Sequence, residues 1–255
     1  MLEISALASG SSGNCFYISN GENSVLIDAG VSRKQIVKRL EKINRSAKSI
    51  DGIFVTHEHG DHIAGTDVFA RKYNVPIYAT KKTIKERDLC SNKDLIQKIK
   101  TNSSICIGDL EIESFEKFHD SVDPVSFNVI SDRKISIMTD LGKICRNVEN
   151  NIKDCHAVFL ESNHDKKMLK EGPYPKFLKE RIRGKGGHVS NKEAVSAVLQ
   201  SDNENLKHLI LSHLSENNNT PKKALESFSV LKENKKINAK ISISGRYKPT
   251  KIFEV

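Results

Sequence analysis

Apolar residues in this 255-residue chain fall in short runs rather than long blocks, and the period of those runs predicts alternating strands and helices. Leu2–Leu7, Cys15–Asn20 and Ser24–Asp28 are strand-like; Ser9-Gly10-Ser11-Ser12-Gly13-Asn14 loops between the first two, and Asn20-Gly21 marks a hairpin. Ser32 is placed to cap a helix whose Ile36, Val37, Leu40 and Ile43 share one face, with basic residues on the other. Asp51–Thr56 carries a continuous apolar run, as a strand covered on both faces requires, and a helix is expected from the following polar hexapeptide through about Tyr73. Further strands are expected at Pro76–Ala79, Ser104–Ile107, Leu110–Phe115, Val125–Ser131, Lys134–Thr139, Ala157–Glu161, Leu206–Leu211 and Lys240–Ser244, with helices near 191–201 and 221–235. Hairpin-paired strands mixed with helical crossovers predict an α/β fold of mixed sheets covered by helices. No repeat, low-complexity tract or long linker interrupts the pattern, so residues 1–255 read as a single domain.

Composition narrows the setting. No apolar run approaches the ~20 residues of a membrane span, and Met1-Leu2-Glu3-Ile4-Ser5 lacks the basic and apolar regions of a secretory leader. The five cysteines (Cys15, Cys90, Cys106, Cys145, Cys155) are odd in number and widely spaced, the pattern of reduced thiols in a cytoplasmic protein. The net charge of +9 suggests an anionic partner. Basic residues gather in two places: Arg33, Lys34, Lys38, Arg39, Lys42, Arg45 and Lys48, and again Lys176, Lys179, Arg181, Arg183 and Lys185. Solvated helix faces explain such runs as readily as a nucleic-acid track does.

The chemistry concentrates in His57-x-His59-x-Asp61-His62, directly after a buried strand. Three imidazoles and a carboxylate on a tight turn can converge on one point, and their N and O donors suit Zn²⁺, Mn²⁺ or Fe²⁺. More donors close later apolar runs: His119, Asp140 in Thr139-Asp140-Leu141-Gly142, and His213 in Leu209-Ile210-Leu211-Ser212-His213.

This ordered set resembles the metallo-β-lactamase fold superfamily, over nearly the whole chain. The resemblance implies an αββα sandwich of two mixed β-sheets flanked by helices, with two divalent metal ions. It implies His57, His59 and His119 on one metal, Asp61, His62 and His213 on the other, and Asp140 between them. His188, in Gly184-Lys185-Gly186-Gly187-His188, resembles the segment that phosphodiesterase branches use to contact the scissile phosphate. His164, in Glu161-Ser162-Asn163-His164-Asp165, is an active-site candidate that competes with His119 as third ligand, while His156 and His208 read as structural or surface residues.

Ser9–Asn14, His119-Asp120-x-x-Asp123-Pro124, Glu161–Asp165, Gly187–Asn191 and Ser212–Asn218 together resemble the YycJ/WalJ family of cytoplasmic bacterial exonucleases. That resemblance implies 5′→3′ hydrolysis of double-stranded DNA by a hydroxide that two metals activate, with Asp61 or Asp140 orienting it and His188 or His164 protonating the leaving oxygen. Asp120 and Asp123 either orient His119 or help hold metal. The Ser9–Asn14 loop either offers amides to a phosphate or is a plain turn. The absence of an aromatic stacking platform fits a duplex better than a long single strand. Two alternatives stand beside this reading: a small-molecule (cyclic) phosphodiesterase of the same fold, and a metal-holding nucleic-acid-binding module without turnover.

Overall fold

The short apolar runs form strands in the computed structural model, which describes residues 1–201, 203–233 and 238–255. The chain divides into two compact units with interleaved segments: unit 1 is Met1–Glu116, Ser121–Arg133 and Ser244–Val255, and unit 2 is Lys117–Asp120 and Lys134–Ile243.

Unit 1 contains β1 (Glu3–Ala8), β2 (Cys15–Ser19), β3 (Ser24–Ile27), β4 (Gly52–Phe54), β5 (Ile77–Thr80), β6 (Ile96–Ile99), β7 (Ser104–Ile107), β8 (Leu110–Glu116) and β9 (Val125–Ile130). Its helices are α1 (Arg33–Lys42), α2 (Gly60–Ile63), α3 (Thr66–Tyr73) and α4 (Lys81–Glu86). A seven-stranded mixed sheet runs β14-β1-β2-β3-β4-β5-β6, where β14 is Phe253–Glu254. Its first four strands pair antiparallel and the rest, from β3 to β6, pair parallel. β7, β8 and β9 form an antiparallel run. Leu26, Ile53, Val55, Ile77 and Phe69 pack with Ile36 and Leu40 of α1 into one core.

Unit 2 holds a parallel run of β10 (Lys134–Met138), β11 (Ala157–Glu161), β12 (His208–Ser212) and β13 (Lys240–Ile243). Around it lie α5 (Arg146–Asp154), α6 (Lys166–Glu171), α7 (Lys176–Arg183), α8 (Asn191–Ser201) and α9 (Pro221–Glu233). α5 packs on β10 and α8, and α8 on α9. Of the helix expected at 221–235, the last two positions lie outside the described residues.

Three expectations need correction. The helix expected after His62 is two, α2 and α3, broken at Gly65, whose N–H donates to the Ala29 carbonyl at 2.8 Å. The basic stretch 33–48 is not all solvated. Arg39 is buried and donates to the carbonyls of Leu7 and Arg246, and Arg45 is paired with Glu3 at 2.6 Å. α4, α5, α6, α7, β6 and β14 were not expected. β14 has two residues, too few to show a period, and in α7 the only apolar pair one turn apart is Leu178 and Ile182, both half-buried.

Candidate functional site

In unit 1 the topology itself assembles a cluster. β3 and β4 run parallel with Ile27 opposite Phe54, so the residues beyond them, Asp28 and Val55-Thr56-His57, emerge together. Asp28 leaves β3 in the left-handed region (φ 61°) and is fully buried. Its Oδ1 accepts from the Thr56 amide (2.8 Å) and its Oδ2 from the Thr56 hydroxyl (2.9 Å). Oδ2 also lies 2.7 Å from His62 Nδ1, and the Thr56 hydroxyl 2.9 Å from His57 Nδ1. With carboxylate and hydroxyl as acceptors, both imidazoles carry their proton on Nδ1 and their lone pair on Nε2. His57 Nε2 is 3.1 Å from His59 Nδ1, and His62 Nε2 is 3.5 Å from Asp61 Oδ2.

The Ser9–Asn14 loop supports this cluster. Amides of Ser9, Gly10, Gly13 and Asn14 are bonded within the fold, as the plain-turn reading requires. The Asn14 side chain reaches Asp61 Oδ2 (3.3 Å) and His62 Nε2 (3.1 Å). Gly30 seals the contact: a Cβ there would meet the Asp61 carbonyl oxygen at 1.6 Å.

Unit 2 repeats the logic on its parallel strands. Met138, Leu160 and Leu211 are in register, so Asp140, Glu161 and His213 stand at neighbouring C-terminal strand ends, where α/β sheets collect function. Asp140 and His213 both have φ 54°, and like Asp28 they are non-glycine residues held in a conformation that costs free energy. Glu161, fully buried, accepts from His188 Nδ1 (2.8 Å) and His213 Nδ1 (3.0 Å) on one oxygen and from the Leu141 amide (2.5 Å) on the other. Burial alone would raise its carboxyl; charge and hydrogen bonds from His188 and His213 hold it below the usual carboxylate range.

His119 Nδ1 donates to the Gly187 carbonyl at 3.2 Å, while its Nε2 lies 3.7 Å from Asp140 and 3.4 Å from Asp120. Burial, opposed by Asp140, pushes His119 down to about 4, so the imidazole is neutral at pH 7, the form that binds metal. One donor atom from each of Asp140, Glu161, His188 and His213 lies within 4.8 Å of the others.

The donors fit divalent metal. His57, His62, His119, His188 and His213 each have Nδ1 on a hydroxyl, carboxylate or carbonyl, which puts the lone pair on Nε2 and fixes the ring, as metal-ligating histidines require. These donor groups are consistent with two divalent ions.

The structure thus brings His57, His59, Asp61 and His62 together in unit 1, and His119, Asp140, His188 and His213 together in unit 2. His164 stands apart from the second cluster. It is buried, lines a cavity with His188, and burial pushes it down to about 4. Asp120 holds Arg181 through Oδ2 (2.6 Å), and Asp123 sits 3.4 Å from Lys82. His156 accepts from the Lys134 amide, a structural role. Asp28, Thr56 and Glu161 carried no assigned role in the sequence. The signal that marks them is a polar residue closing a buried apolar run.

Comparison with known proteins agrees with this architecture. Residues 23–214 match the family model described as Beta-lactamase superfamily domain. The chain is 38% identical to Exodeoxyribonuclease YycJ of Bacillus anthracis over 238 residues, 92% of this chain and 90% of that one. It is 37% identical to Exodeoxyribonuclease WalJ of Streptococcus pneumoniae over 224 residues, covering 84% and 82%. The crystal structure of the metallo-β-lactamase fold protein YhfI from Bacillus subtilis superposes with a TM-score of 0.76 over 100% of both chains at 14% identity, a likeness of fold.

Proposed function

The chain belongs to the β-lactamase superfamily, an α/β fold of two mixed β-sheets flanked by helices, and is a metal-dependent hydrolase; from that premise we propose that it is an exodeoxyribonuclease acting 5′→3′ on double-stranded DNA. The observation that carries the reading is the pair His188 and His213 locked on one buried carboxylate, Glu161, beside Asp140. Identity of 37–38% to two exodeoxyribonucleases, each covered over more than four-fifths of its length, supplies the substrate class.

We assign His57, His59 and His119 to one ion, Asp61, His62 and His213 to the other, and Asp140 to both. Divalent metal in such a site supplies Lewis-acid charge and lowers the pKa of water from ~15.7 toward ~7. Asp61, held by Asn14, orients the attacking water. His188 is 21% exposed, with Nδ1 fixed on Glu161, so its Nε2 is the atom that meets a phosphoryl oxygen; once protonated to imidazolium, it delivers the leaving-group proton from Nε2. Burial keeps His164 neutral at pH 7, so the leaving-group proton falls to His188 rather than to His164. Exposed lysines and arginines of 33–48 and 176–185 attract the DNA backbone, an attraction that weakens with salt. The reaction and the free thiols of all five cysteines suit a cytoplasmic protein; among the described residues no helix is long and apolar enough to cross a membrane.

The test uses protein stripped with chelator and reloaded with Mn²⁺ or Zn²⁺, an end-labelled linear duplex, a small chromogenic phosphodiester, and the Asp140→Asn variant. Stepwise release of nucleotides from 5′ ends, lost in the variant, is the expected result. Cleavage of the small ester alone would make the protein a metabolite phosphodiesterase. Salt-sensitive DNA binding with no product from either substrate would make it a binding module.

A further inference from the structure

Beside His188, unit 2 has a cavity of about 440 Å³ lined by His164, Lys166, Lys170, Arg183, His188 and Glu193. Local sequence explains its charge. Lys166 and Lys170 are one turn apart on α6 and so share a face, and Arg183 is the last residue of α7. Glu193 is the single carboxylate, and its oxygens are engaged by the Ser190 amide (2.8 Å), the Ser190 hydroxyl (2.5 Å) and Lys166 (3.4 Å). Among the described residues neither Lys170 nor Arg183 has a carboxylate partner within ion-pair distance. His164 is 2% exposed, and its Nδ1 is buried with no hydrogen-bond partner. His164 thus forms a buried wall of a cavity whose rim is cationic. Such a cavity suits an anion, because lysine and arginine supply both charge and N–H donors. The basic lining continues: an adjoining cavity of about 350 Å³ shares Arg183 and Glu193 and adds Lys143 and Lys185.

We propose that the cavity beside His188 is a second phosphate-binding site, which holds the phosphate group next to the reacting one on a nucleic-acid strand through Lys170 and Arg183. This rests on the phosphodiester reading of the His188 cluster. The group is either an internal diester phosphate or a terminal 5′ monoester; both present the same oxygens, and they differ in what the protein selects. A site for the end would favour cleavage from termini, and a site for the chain would favour polymer over small esters.

Lys170 and Arg183 are exposed, so the double variant Lys170→Ala/Arg183→Ala keeps the core intact. Metal-loaded native protein and variant are titrated into fluorescent, phosphorothioate-protected duplexes with 5′-phosphate or 5′-hydroxyl ends, read by anisotropy between 50 and 200 mM salt. The variant is expected to raise Kd about tenfold, with the slope of log Kd against log salt reduced by about 1. A loss confined to the 5′-phosphate duplex assigns the site to the terminus; an equal loss on both assigns it to an internal phosphate. Native Kd and slope in the double variant would overturn the proposal, as would a native protein with no salt-dependent affinity for either duplex. Binding is read without turnover, so a failure of the exonuclease reading shows separately, as absent product from the unprotected duplex.

Discussion

Asp28 and His62 are both fully buried, 34 residues apart in sequence, and their Oδ2 and Nδ1 atoms meet at 2.7 Å. The contact fixes the imidazole proton on Nδ1. Asp28→Asn keeps the shape but offers an amide N–H₂ where an acceptor stood. Either the amide faces His62, which then moves its proton to Nε2 and loses its ligating lone pair, or it faces the Thr56 donors. Metal affinity is expected to fall 10- to 100-fold, with the far-ultraviolet circular dichroism unchanged. Competition against a chromogenic chelator measures it. Native affinity in the variant would mean that the carboxylate is only a packing group.

Glu161 performs the same task twice, and its substitution should cost function more than fold. In Glu161→Gln, an amide oxygen aimed at His188 and His213 sets the N–H₂ against the Leu141 amide; the reverse orientation removes the acceptor both histidines use. Phosphodiesterase kcat is expected to drop 10- to 100-fold. Metal content, measured on the same samples, separates a misplaced His188 from a lost His213 ligand. A variant with full kcat and full metal content would remove Glu161 from any orienting role.

The donors were legible before the carboxylates and the threonine that hold them, for a physical reason. His57 to His62 sit in one hexapeptide, and His119, Asp140 and His213 each follow an apolar run, so local pattern exposes them. Asp28 with His62, and Glu161 with His188 and His213, meet through tertiary packing across 27 to 52 residues, which no local period encodes. Likewise, most strands are marked by buried faces, whereas α7 buries none of its residues fully. Charge misled in the other direction: Arg39 reads as surface and is a buried donor to two carbonyls.

Gly30 is required by close approach rather than by conformation. Its missing Cβ leaves room for the Asp61 carbonyl, which accepts from the Asn14 amide at 2.8 Å. In Gly30→Ala the clash is with backbone, so no side-chain rotation relieves it. A loss of about 3 kcal/mol or more is expected, as a lower urea midpoint at unchanged m-value. A midpoint equal to native would show that the 28–31 turn yields.

His164 makes stability depend on pH in a defined window. Burial, opposed by Glu161 and Glu193, pushes it down to about 4, while the unfolded chain titrates near 6.5. Between these values the unfolded state binds the extra proton, so stability falls as pH drops from 6.5 to 4. The full difference is at most about 3 kcal/mol. Subtracting the curve for His164→Gln from native, both metal-free, cancels the other groups. A difference flat from pH 7 to 4 would contradict the burial of a neutral imidazole.

Removing metal should lower stability because the fold gathers donors that repel or strain without it. Asp140 and His213 hold left-handed φ angles, and His57, His59 and His62 crowd within hydrogen-bond or ring contact. An ion at 100 times its Kd adds about 2.7 kcal/mol, which for a chain of this size moves Tm by roughly 5–10 °C. Chelator is therefore expected to lower Tm by at least ~5 °C, reversed by adding Mn²⁺ or Zn²⁺. Asp28→Asn weakens the His62 ligand alone, so at limiting metal its shift should be about half the native one. An unchanged Tm on chelation would mean that these histidines hold no ion tightly, and the shared tautomer of five imidazoles would then need another cause.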